Sequence, residues 1–361
     1  MATGVRIATY NVLAQTLATS KYFPYSGTAL QAKHRLPALT ARLLGLRADV
    51  IGISEAYPEV LASLRASGYE SFFVARSGRP YGVALTYNTS RVELLHCAAL
   101  DFDNVANALV GHQGDVGGGA DTFRTNSVAA FAAFRVLDAP PGEGVFVVAE
   151  AHLFWNPAQE LVKAAQAVAL KRAAAEFAAA YAPAGAPLVV VGDFHSMPGS
   201  WPCSVLEAPG GVPRIDAGAA AGALVGGWNT LLPARATDAV TAWHARLRES
   251  LAAELGVPVP ASWTRGTGGA SAAAAVAGGG GDARGTLRSA YALAGAENQI
   301  TTHTASFSAC IDFIYVEDRA GEGRGRVRAV ARVPAKGDLQ GPIPSAEEPS
   351  DHLPLAADFS V

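Results

Sequence analysis

Short apolar runs and longer stretches with helical periodicity alternate along the chain. The short runs are rich in Val, Ile, Phe and Tyr and are bounded by glycine, proline or polar residues, a pattern typical of β-strands. They lie at 5–12, 49–54, 71–75, 82–88, 92–96, 127–136, 144–153, 187–194, 310–316, 327–333 and 353–359. Apolar residues recur at helical spacing in 29–46, 58–66 and 159–182. Strands interleaved with helices indicate an α/β protein, and this number of strands indicates two sheets.

Two segments interrupt this alternation. Residues 107–121 and 265–285 are rich in glycine, and the second is also rich in alanine and serine. This composition is typical of flexible chain. Because no linker divides the rest, we expect residues 1–361 to form a single domain that carries these two segments as flexible insertions. No stretch is long and apolar enough to span a bilayer, so no membrane association is expected.

Composition and charge narrow the functional class. The net charge is −3, so no global basic field attracts nucleic acid, and a polyanionic substrate would need metal ions and a local basic patch. Three cysteines without metal-ligand spacing suit a reducing compartment, which predicts an intracellular, cytoplasmic location. The chain has no G-x-S-x-G, G-x-x-x-x-G-K-[ST] or H-E-x-x-H motif. Their absence argues against a serine hydrolase, a P-loop nucleotide-binding protein and a zinc metalloprotease, respectively.

Residues that can hold a metal ion or a phosphate occur at the ends of predicted strands. Asp193 follows the apolar run VVVG and precedes a turn, at the strand end where α/β sheets expose their chemistry. Asp351 and His352 open the last strand, and Asp312 is flanked by apolar residues. A buried aspartate needs a cationic or donor partner, and His352 is a natural one. Carboxylates for a hard cation, together with histidines for protons, indicate a hydrolytic phosphodiester site.

Three further candidates have structural explanations that stay open. Glu55 follows an apolar run, where it can bind a cation or cap the helix that starts near Pro58. Asn11 lies inside an apolar strand, so its amide either ligates or makes structural hydrogen bonds. His152 also lies in an apolar strand, where a histidine is more often a core residue. Trp155 beside it either walls a base-sized pocket or packs.

Six motifs, taken in order, resemble the endonuclease/exonuclease/phosphatase superfamily. They are TYNVLA (9–14), GISEAYPE (52–59), AEAHLFWNP (149–157), VVVGDFHSMPGS (189–200), CIDFIYV (310–316) and PSDHLPLAADF (349–359). The resemblance is strongest to the branch of carbon-catabolite-repressor-type poly(A) deadenylases, nocturnin and Angel, and covers nearly the whole chain outside the two insertions. It implies a four-layer αββα sandwich with two mixed β-sheets and a site at one edge of both.

The resemblance also implies a metal cofactor. Mg²⁺, or Mn²⁺ in its place, would be held as one or two ions. Glu55, Asn11 and Asp351 are the ligands that the family pattern implies, with a second metal or a phosphate near Asp193 and His352.

The family pattern further implies catalytic roles. Asp193 would orient or deprotonate the attacking water. His352, oriented by Asp312, would stabilise the pentacovalent phosphorane. His152 would lie beside the scissile phosphate.

One position departs from the family in a way that bears on catalysis. The family reads GDFN, whereas this chain reads GDFH and has His195 in place of the asparagine. An imidazole N–H can donate to a phosphate oxygen, but its shape differs from an amide and it titrates near neutral pH. Smaller departures are Ser54, where the family commonly has glutamine, and Ala151, where many members have threonine. His195 is therefore a catalytic candidate, and a weakened RNA-binding or scaffold domain stays an alternative.

The expected activity is that of a Mg²⁺-dependent 3′–5′ exoribonuclease that acts on poly(A)-type single-stranded RNA and releases 5′-AMP. The alternative enzyme is a phosphatase that acts on a small nucleotide, either a 2′-phosphate or a cyclic phosphate. The partner is accordingly an RNA 3′ end or a small nucleotide, while protein partners in mRNA decay are not identified by the sequence. A local basic patch with aromatic stacking would hold the substrate. The expected contacts are Lys21, Arg35, Arg124, Lys163, Trp155 and Asn156.

Overall fold

Fourteen strands and five α-helices form the regular structure of the residues that the computed structural model describes, which are 3–103, 125–208, 286–296, 299–318 and 325–361. The strands are β1 (Gly4–Asn11), β2 (Val50–Ala56), β3 (Tyr69–Ala75), β4 (Gly82–Asn88), β5 (Val92–Asp101), β6 (Val128–Val136), β7 (Val145–His152), β8 (Leu188–Asp193), β9 (Thr286–Ser289), β10 (Thr302–His303), β11 (Ser308–Ala309), β12 (Asp312–Asp318), β13 (Val327–Val330) and β14 (Leu355–Ser360). The helices are α1 (Ala32–Gly45), α2 (Pro58–Arg65), α3 (Glu160–Tyr181), α4 (Trp201–Glu207) and α5 (Ala290–Leu293).

The strands form two six-stranded sheets and a small hairpin. The first sheet has the order β13-β14-β1-β2-β4-β3, the second has the order β5-β6-β7-β8-β12-β9, and β10 pairs with β11. β1 and β2 are parallel, as are β7 and β8, and the remaining pairs are antiparallel. Both sheets are therefore mixed, and every strand predicted from the sequence is confirmed.

Three apolar clusters hold the layers together. The largest lies between the sheets and joins side chains of both, for example Val50, Phe134, Val148, Val191 and Phe359. A second cluster packs α1 and α2 on the outer face of the first sheet, and a third packs α3 and α4 on the outer face of the second. The four-layer αββα sandwich is thus confirmed. The predicted insertions at 107–121 and 265–285 lie outside the described residues.

One carboxylic acid is buried between the sheets. The Glu150 side chain is fully buried, and its Oε1 accepts a hydrogen bond of 2.6 Å from the Ser54 hydroxyl. Its Oε2 has no hydrogen-bond partner among the described residues. A Cβ at Gly52 would lie 2.3 Å from Oε2, so the glycine leaves the space that this oxygen occupies. Burial raises the pKa of Glu150 well above its usual range, so we infer that the side chain is protonated.

As pH rises, the free energy of unfolding is expected to fall less in Glu150→Gln than in the native chain. Glu150 is protonated when folded but ionises above about pH 4.5 when unfolded, so the native chain loses stability as pH rises beyond that value. The loss is at most about 1.4 kcal/mol per pH unit for one proton. Glutamine does not titrate, so this contribution disappears. Urea denaturation between pH 5 and 8 measures it, with the exposed Glu143→Gln as control. Equal pH dependence in both variants would refute the assignment.

The pairing of the strands brings the motif residues to one edge. β1, β2, β7 and β8 end at this edge, whereas β12 and β14, which run antiparallel to them, begin there. The register sets His152 opposite Asp193, and Asp193 opposite Asp312. Residues that are far apart in sequence therefore lie side by side.

Candidate active site

Asp193 is the centre of a buried polar cluster. Its side chain is fully buried. Oδ1 accepts a hydrogen bond from the His195 backbone N–H at 3.0 Å, and Oδ2 accepts one from Asn11 Nδ2 at 2.9 Å. Three imidazole nitrogens face the same Oδ2, with Nε2 of His195 at 3.4 Å and Nε2 of His152 and of His352 both at 3.7 Å. The cluster thus joins four of the predicted motifs.

The charges of this cluster keep Asp193 ionised. Burial alone would raise the pKa of the Asp193 carboxyl, but His195, His352 and His152, together with the Asn11 hydrogen bond, outweigh burial and hold the pKa below its usual range. A carboxylate with so low a pKa is a poor proton acceptor near neutral pH. Of the two expected roles, the lowered pKa therefore favours orienting the water over deprotonating it.

His352 and Asp312 form the pair that the sequence predicts. His352 Nδ1 lies 2.8 Å from Asp312 Oδ2, and both residues are buried. Burial would lower the pKa of His352, but the carboxylates of Asp312, Asp193 and Asp351 hold it well above its usual range. We infer an imidazolium that donates Nδ1–H to Asp312. The Nε2–H is left to face Asp193, where it can donate to an anion.

Glu55 is aimed into the site by a β-bulge. The register between β2 and β4 shifts between Ser54 and Ala56, and Glu55 between them has a φ of 57°. Bulges re-aim side chains in this way. Glu55 Oε2 accepts a hydrogen bond from the Ala14 backbone N–H at 2.7 Å. The helix-capping alternative is wrong, because α2 begins after Tyr57 without a side-chain cap.

The part of the active site around Glu55 has the chemistry to bind a divalent cation. Burial and the nearby Asp351 charge raise the pKa of Glu55 to about 7, so a cation bound beside it would favour the ionised carboxylate. Glu55 and Asp351 offer the oxygen ligands that Mg²⁺ and Mn²⁺ prefer. Asn11 was expected to be a metal ligand, but its amide oxygen accepts a hydrogen bond from the Leu13 backbone N–H at 2.9 Å. Its NH₂ group instead joins Asp193 at 2.9 Å and Glu55 at 3.3 Å.

His195 lies beside His152 on a fixed turn. The two Nε2 atoms are 2.8 Å apart. His195 has a φ of 46°, a left-handed conformation that asparagine and histidine adopt more readily than most residues. Burial lowers the pKa of both imidazoles. Lys163 Nζ donates to the His195 carbonyl oxygen at 2.7 Å and thereby fixes the backbone that carries the ring.

The structure contradicts two predicted substrate contacts. Arg35 is buried, and its guanidinium donates to the carbonyl oxygens of Val12, Leu13 and Pro349 at 2.7, 2.7 and 2.9 Å. Lys163 is also buried and holds the turn at His195. Both side chains point into the protein, and the carbonyl oxygens supply the partners that a buried charge needs. Arg35 and Lys163 are therefore positioning residues.

The remaining predicted contacts lie at or near a cleft in front of Glu55. The cleft has a volume of about 640 Å³, and the Trp155 side chain in its wall is 62% exposed. Its wall also contains Lys21, Tyr22, Tyr25 and Asp351. Asn156 follows Trp155 and accepts the Ala158 N–H at 3.0 Å, so its contact with substrate stays a prediction. Arg124 lies outside the described residues.

Arg76 is a cation near the site that sequence analysis missed. Its guanidinium donates to the carbonyl oxygens of Thr125 and Asn126 at 2.9 and 3.0 Å. Burial is the largest cause of the lowered pKa of His152. The Asp193 carboxylate raises this pKa, whereas the positive charge of Arg76 lowers it further. Arg76 follows a strand in the polar turn RSGRP, where a cation is ordinarily solvated. No sequence signal therefore marked it.

The family assignment follows from comparison with known proteins. Residues 8–352 match the Endonuclease/Exonuclease/phosphatase family, and the chain belongs to this family. It is accordingly a hydrolase of the nuclease or phosphatase type, and its acidic and histidine groups suit the divalent metal of that class. Within the family, the chain lies in the branch of carbon catabolite repressor 4, nocturnin and Angel proteins.

Several relatives define this branch. The chain is 23% identical to carbon catabolite repressor protein 4 homolog 4 of Arabidopsis thaliana over 99% of its own length and 77% of the relative. It is 29% identical to Protein angel of Drosophila melanogaster over 57% and 56% of the two chains. It is 28% identical to the probable RNA exonuclease NGL3 of Saccharomyces cerevisiae over 54% and 38%. The matches to these last two cover less than two thirds of those relatives.

Solved structures share the fold. ANGEL2 in complex with adenosine-2′,3′-vanadate, described as a 2′,3′-cyclic phosphatase, superimposes with a TM-score of 0.67 and 22% identity, covering 99% of this chain and 96% of ANGEL2. The human Nocturnin catalytic domain superimposes with a TM-score of 0.56 and 18% identity, covering 99% and 93%. Among the described residues, no helix is both long enough and apolar enough to cross a membrane.

Proposed function

We propose that this protein is a divalent-metal-dependent phosphodiesterase that removes nucleotides from the 3′ end of poly(A)-type single-stranded RNA and releases 5′-AMP. One observation carries the proposal. The Asp193 cluster is linked through Asn11 to Glu55, and Glu55 lines a cleft whose wall includes the exposed Trp155. A phosphate-activating group and a stacking surface thus lie next to each other.

The side chains of the cluster have complementary tasks in phosphodiester hydrolysis. Asp193 accepts a hydrogen bond from the attacking water and aims it at phosphorus. As the oxygen of the water bonds to phosphorus, the bond from phosphorus to the 3′ oxygen of the preceding nucleotide breaks, and the proton that the water loses passes through solvent to that leaving oxygen. The His352 imidazolium donates its Nε2–H to the phosphate oxygens as their negative charge grows. A divalent cation held by Glu55 and Asp351 would supply Lewis-acid charge to the phosphate.

The cleft favours unpaired bases. Trp155, Tyr22 and Tyr25 are 62%, 58% and 37% exposed, and each offers a ring face on which a base can stack. Lys21 lies with its Nζ 5.6 Å from the Tyr22 ring centre and adds a local positive charge. Bases in a duplex are stacked on each other and cannot reach these rings, so single strands are the better substrate.

The second candidate function is a phosphatase that acts on a small nucleotide or opens a 2′,3′-cyclic phosphate. The cluster supports this function with the same groups, because cyclic phosphate opening is also an attack of water on phosphorus. The description of ANGEL2 as a 2′,3′-cyclic phosphatase motivates the comparison. For either function we propose a cytoplasmic location, since the three cysteines are free among the described residues.

A substrate panel separates these functions. Purified protein with Mg²⁺ is incubated with oligo(A), mixed-sequence RNA, RNA that ends in a 2′,3′-cyclic phosphate, single-stranded DNA and NADPH, and products are identified by mass spectrometry. We expect stepwise release of 5′-AMP from oligo(A), and slower release when oligo(A) is paired with oligo(U). Asp193→Asn protein, purified in parallel, controls for contaminating nucleases. Reaction with the cyclic phosphate alone selects the phosphatase, and inertness towards every substrate selects the scaffold alternative.

A further inference from the structure

Three donor atoms from two motifs converge on one point of the cluster. They are His152 Nε2, Asp193 Oδ2 and His195 Nε2, and all lie within 4.8 Å of one another. The two nitrogens are 2.8 Å apart, while the carboxylate oxygen lies 3.4 Å from His195 and 3.7 Å from His152. Two imidazoles and a carboxylate form a ligand set that proteins use for transition metals.

The separations fit a shared ion better than a set of hydrogen bonds. Metal–ligand distances of about 2.0–2.2 Å place neighbouring ligand atoms about 2.8–3.6 Å apart in octahedral or tetrahedral sites, close to the three separations of 2.8, 3.4 and 3.7 Å. Hydrogen bonding explains only the 2.8 Å contact between His152 and His195, because the 3.7 Å separation between His152 and Asp193 is too long. The Asp193 oxygen and the His152 nitrogen are therefore not joined by a hydrogen bond.

The backbone that carries the three ligands is held in place before any ion binds. His152 and Asp193 are paired in register on β7 and β8. His195 is fixed at both ends of its backbone, because its N–H donates to Asp193 Oδ1 and its carbonyl oxygen accepts from Lys163. His152 and Asp193 are buried, whereas the His195 side chain is 20% exposed. The site is therefore rigid on its inner side and open towards solvent on the outer side, which gives an ion a path of entry.

We propose that His195 turns this corner of the site into a binding site for a borderline transition-metal ion of the Zn²⁺ type, with His152 Nε2, Asp193 Oδ2 and His195 Nε2 as ligands. An asparagine at position 195 would leave one imidazole and oxygen donors, a set that suits Mg²⁺ or Mn²⁺. The second imidazole shifts preference to Zn²⁺ and its neighbours. A catalytic role for this ion rests on the proposed function, whereas the binding of the ion to these three ligands does not.

Direct binding of Zn²⁺ and Co²⁺ tests the proposal. Chelator-treated protein is titrated with each ion by calorimetry, in millimolar Mg²⁺ to occupy the site at Glu55. Every protein carries Cys97→Ser, because Cys97 is exposed and can bind zinc adventitiously with its neighbour His96. We expect one tight equivalent, a Co²⁺ absorption spectrum without sulfur ligation, and X-ray absorption of the zinc form that shows two imidazoles.

His195→Asn is the decisive variant, and His96→Asn is its matched control on the surface of β5. Asparagine tolerates the left-handed conformation at position 195, so the variant should fold, and circular dichroism checks this. We expect His195→Asn to weaken Zn²⁺ binding at least about tenfold and the control to leave it unchanged. A smaller loss, the absence of a tight equivalent in Mg²⁺, or zinc bound without two imidazoles would each overturn the proposal.

The binding result is separable from the proposed function. Tight zinc binding through the two imidazoles, together with inertness towards all phosphoesters, would support the metal site and reject the enzyme. Hydrolysis of oligo(A) without tight zinc binding would reject the metal site and leave the enzyme standing.

Discussion

Asp193→Asn is expected to lower the rate of phosphoester hydrolysis by at least about a hundredfold. The amide keeps an oxygen that can accept the His195 N–H, so the shape of the turn is retained. It removes the negative charge towards which three imidazoles are directed, and it places an NH₂ group where the hydrogen bond from the attacking water must be accepted. Water is then held in the wrong orientation, while groups that contact the rest of the substrate are untouched.

Single-turnover rates and RNA affinity, measured separately, check this expectation. Affinity for oligo(A) should change much less than the rate. Asp138→Asn is the matched control, because Asp138 forms an exposed ion pair with Arg91. If affinity collapses while the rate per bound complex is retained, Asp193 positions the substrate and does not orient the water.

Glu55→Gln is expected to lower the rate by at least about a hundredfold as well, for a different reason. Its amide oxygen can still accept the Ala14 N–H, so the bulge should be retained, but the charge that holds the cation is lost. Burial and Asp351 raise the pKa of Glu55 to about 7, so a negative charge at this position is unfavourable unless a cation binds beside it. The variant should therefore be at least as stable as the native chain without added metal.

Thermal unfolding with and without Mg²⁺ separates loss of the metal from damage to the fold. Mg²⁺ should raise the melting temperature of the native chain, because an ion that binds only the folded state stabilises it. It should not raise that of Glu55→Gln. Glu59→Gln, at an exposed position at the start of α2, should behave like the native chain. Turnover of Glu55→Gln near that of the native chain would rule out Glu55 as a principal ligand.

Strand ends were the part of the site that sequence could predict. Asp193 and His152 end apolar runs that were predicted to be strands, and parallel pairing of such strands brings their carboxyl ends together. The pairing of Asp312 with His352 followed from the need of a buried carboxylate for a donor. The first conclusion depends on the pattern of apolar residues and the second on the cost of burying a carboxylate, and both can be judged from short stretches of sequence.

Side-chain direction was the part that sequence could not predict. Arg35 and Lys163 were expected to face a substrate, but they are bound to carbonyl oxygens inside the protein. Whether a cation faces inward depends on loops that are distant in sequence, such as the one ending at Pro349. The bulge at Glu55 depends in the same way on how β2 is paired with β4.

The departure at Ser54 has a physical explanation in the packing between the sheets. The Ser54 hydroxyl donates to Glu150, which is fully buried, so the serine satisfies one oxygen of an acid that lies next to the cluster. The partner lies 96 residues away along the chain. Sequence patterns could not reveal this hydrogen bond.

Water that this cluster directs to phosphorus at an RNA 3′ end leaves its oxygen in the product, so the decisive measurement is hydrolysis of oligo(A) in ¹⁸O-labelled water. We expect 5′-AMP that carries one ¹⁸O atom in its phosphate, and a rate of release at least about a hundredfold lower in Asp193→Asn. Release of 5′-AMP without the label, or an equal rate of labelled release from the native chain and Asp193→Asn, would contradict this expectation.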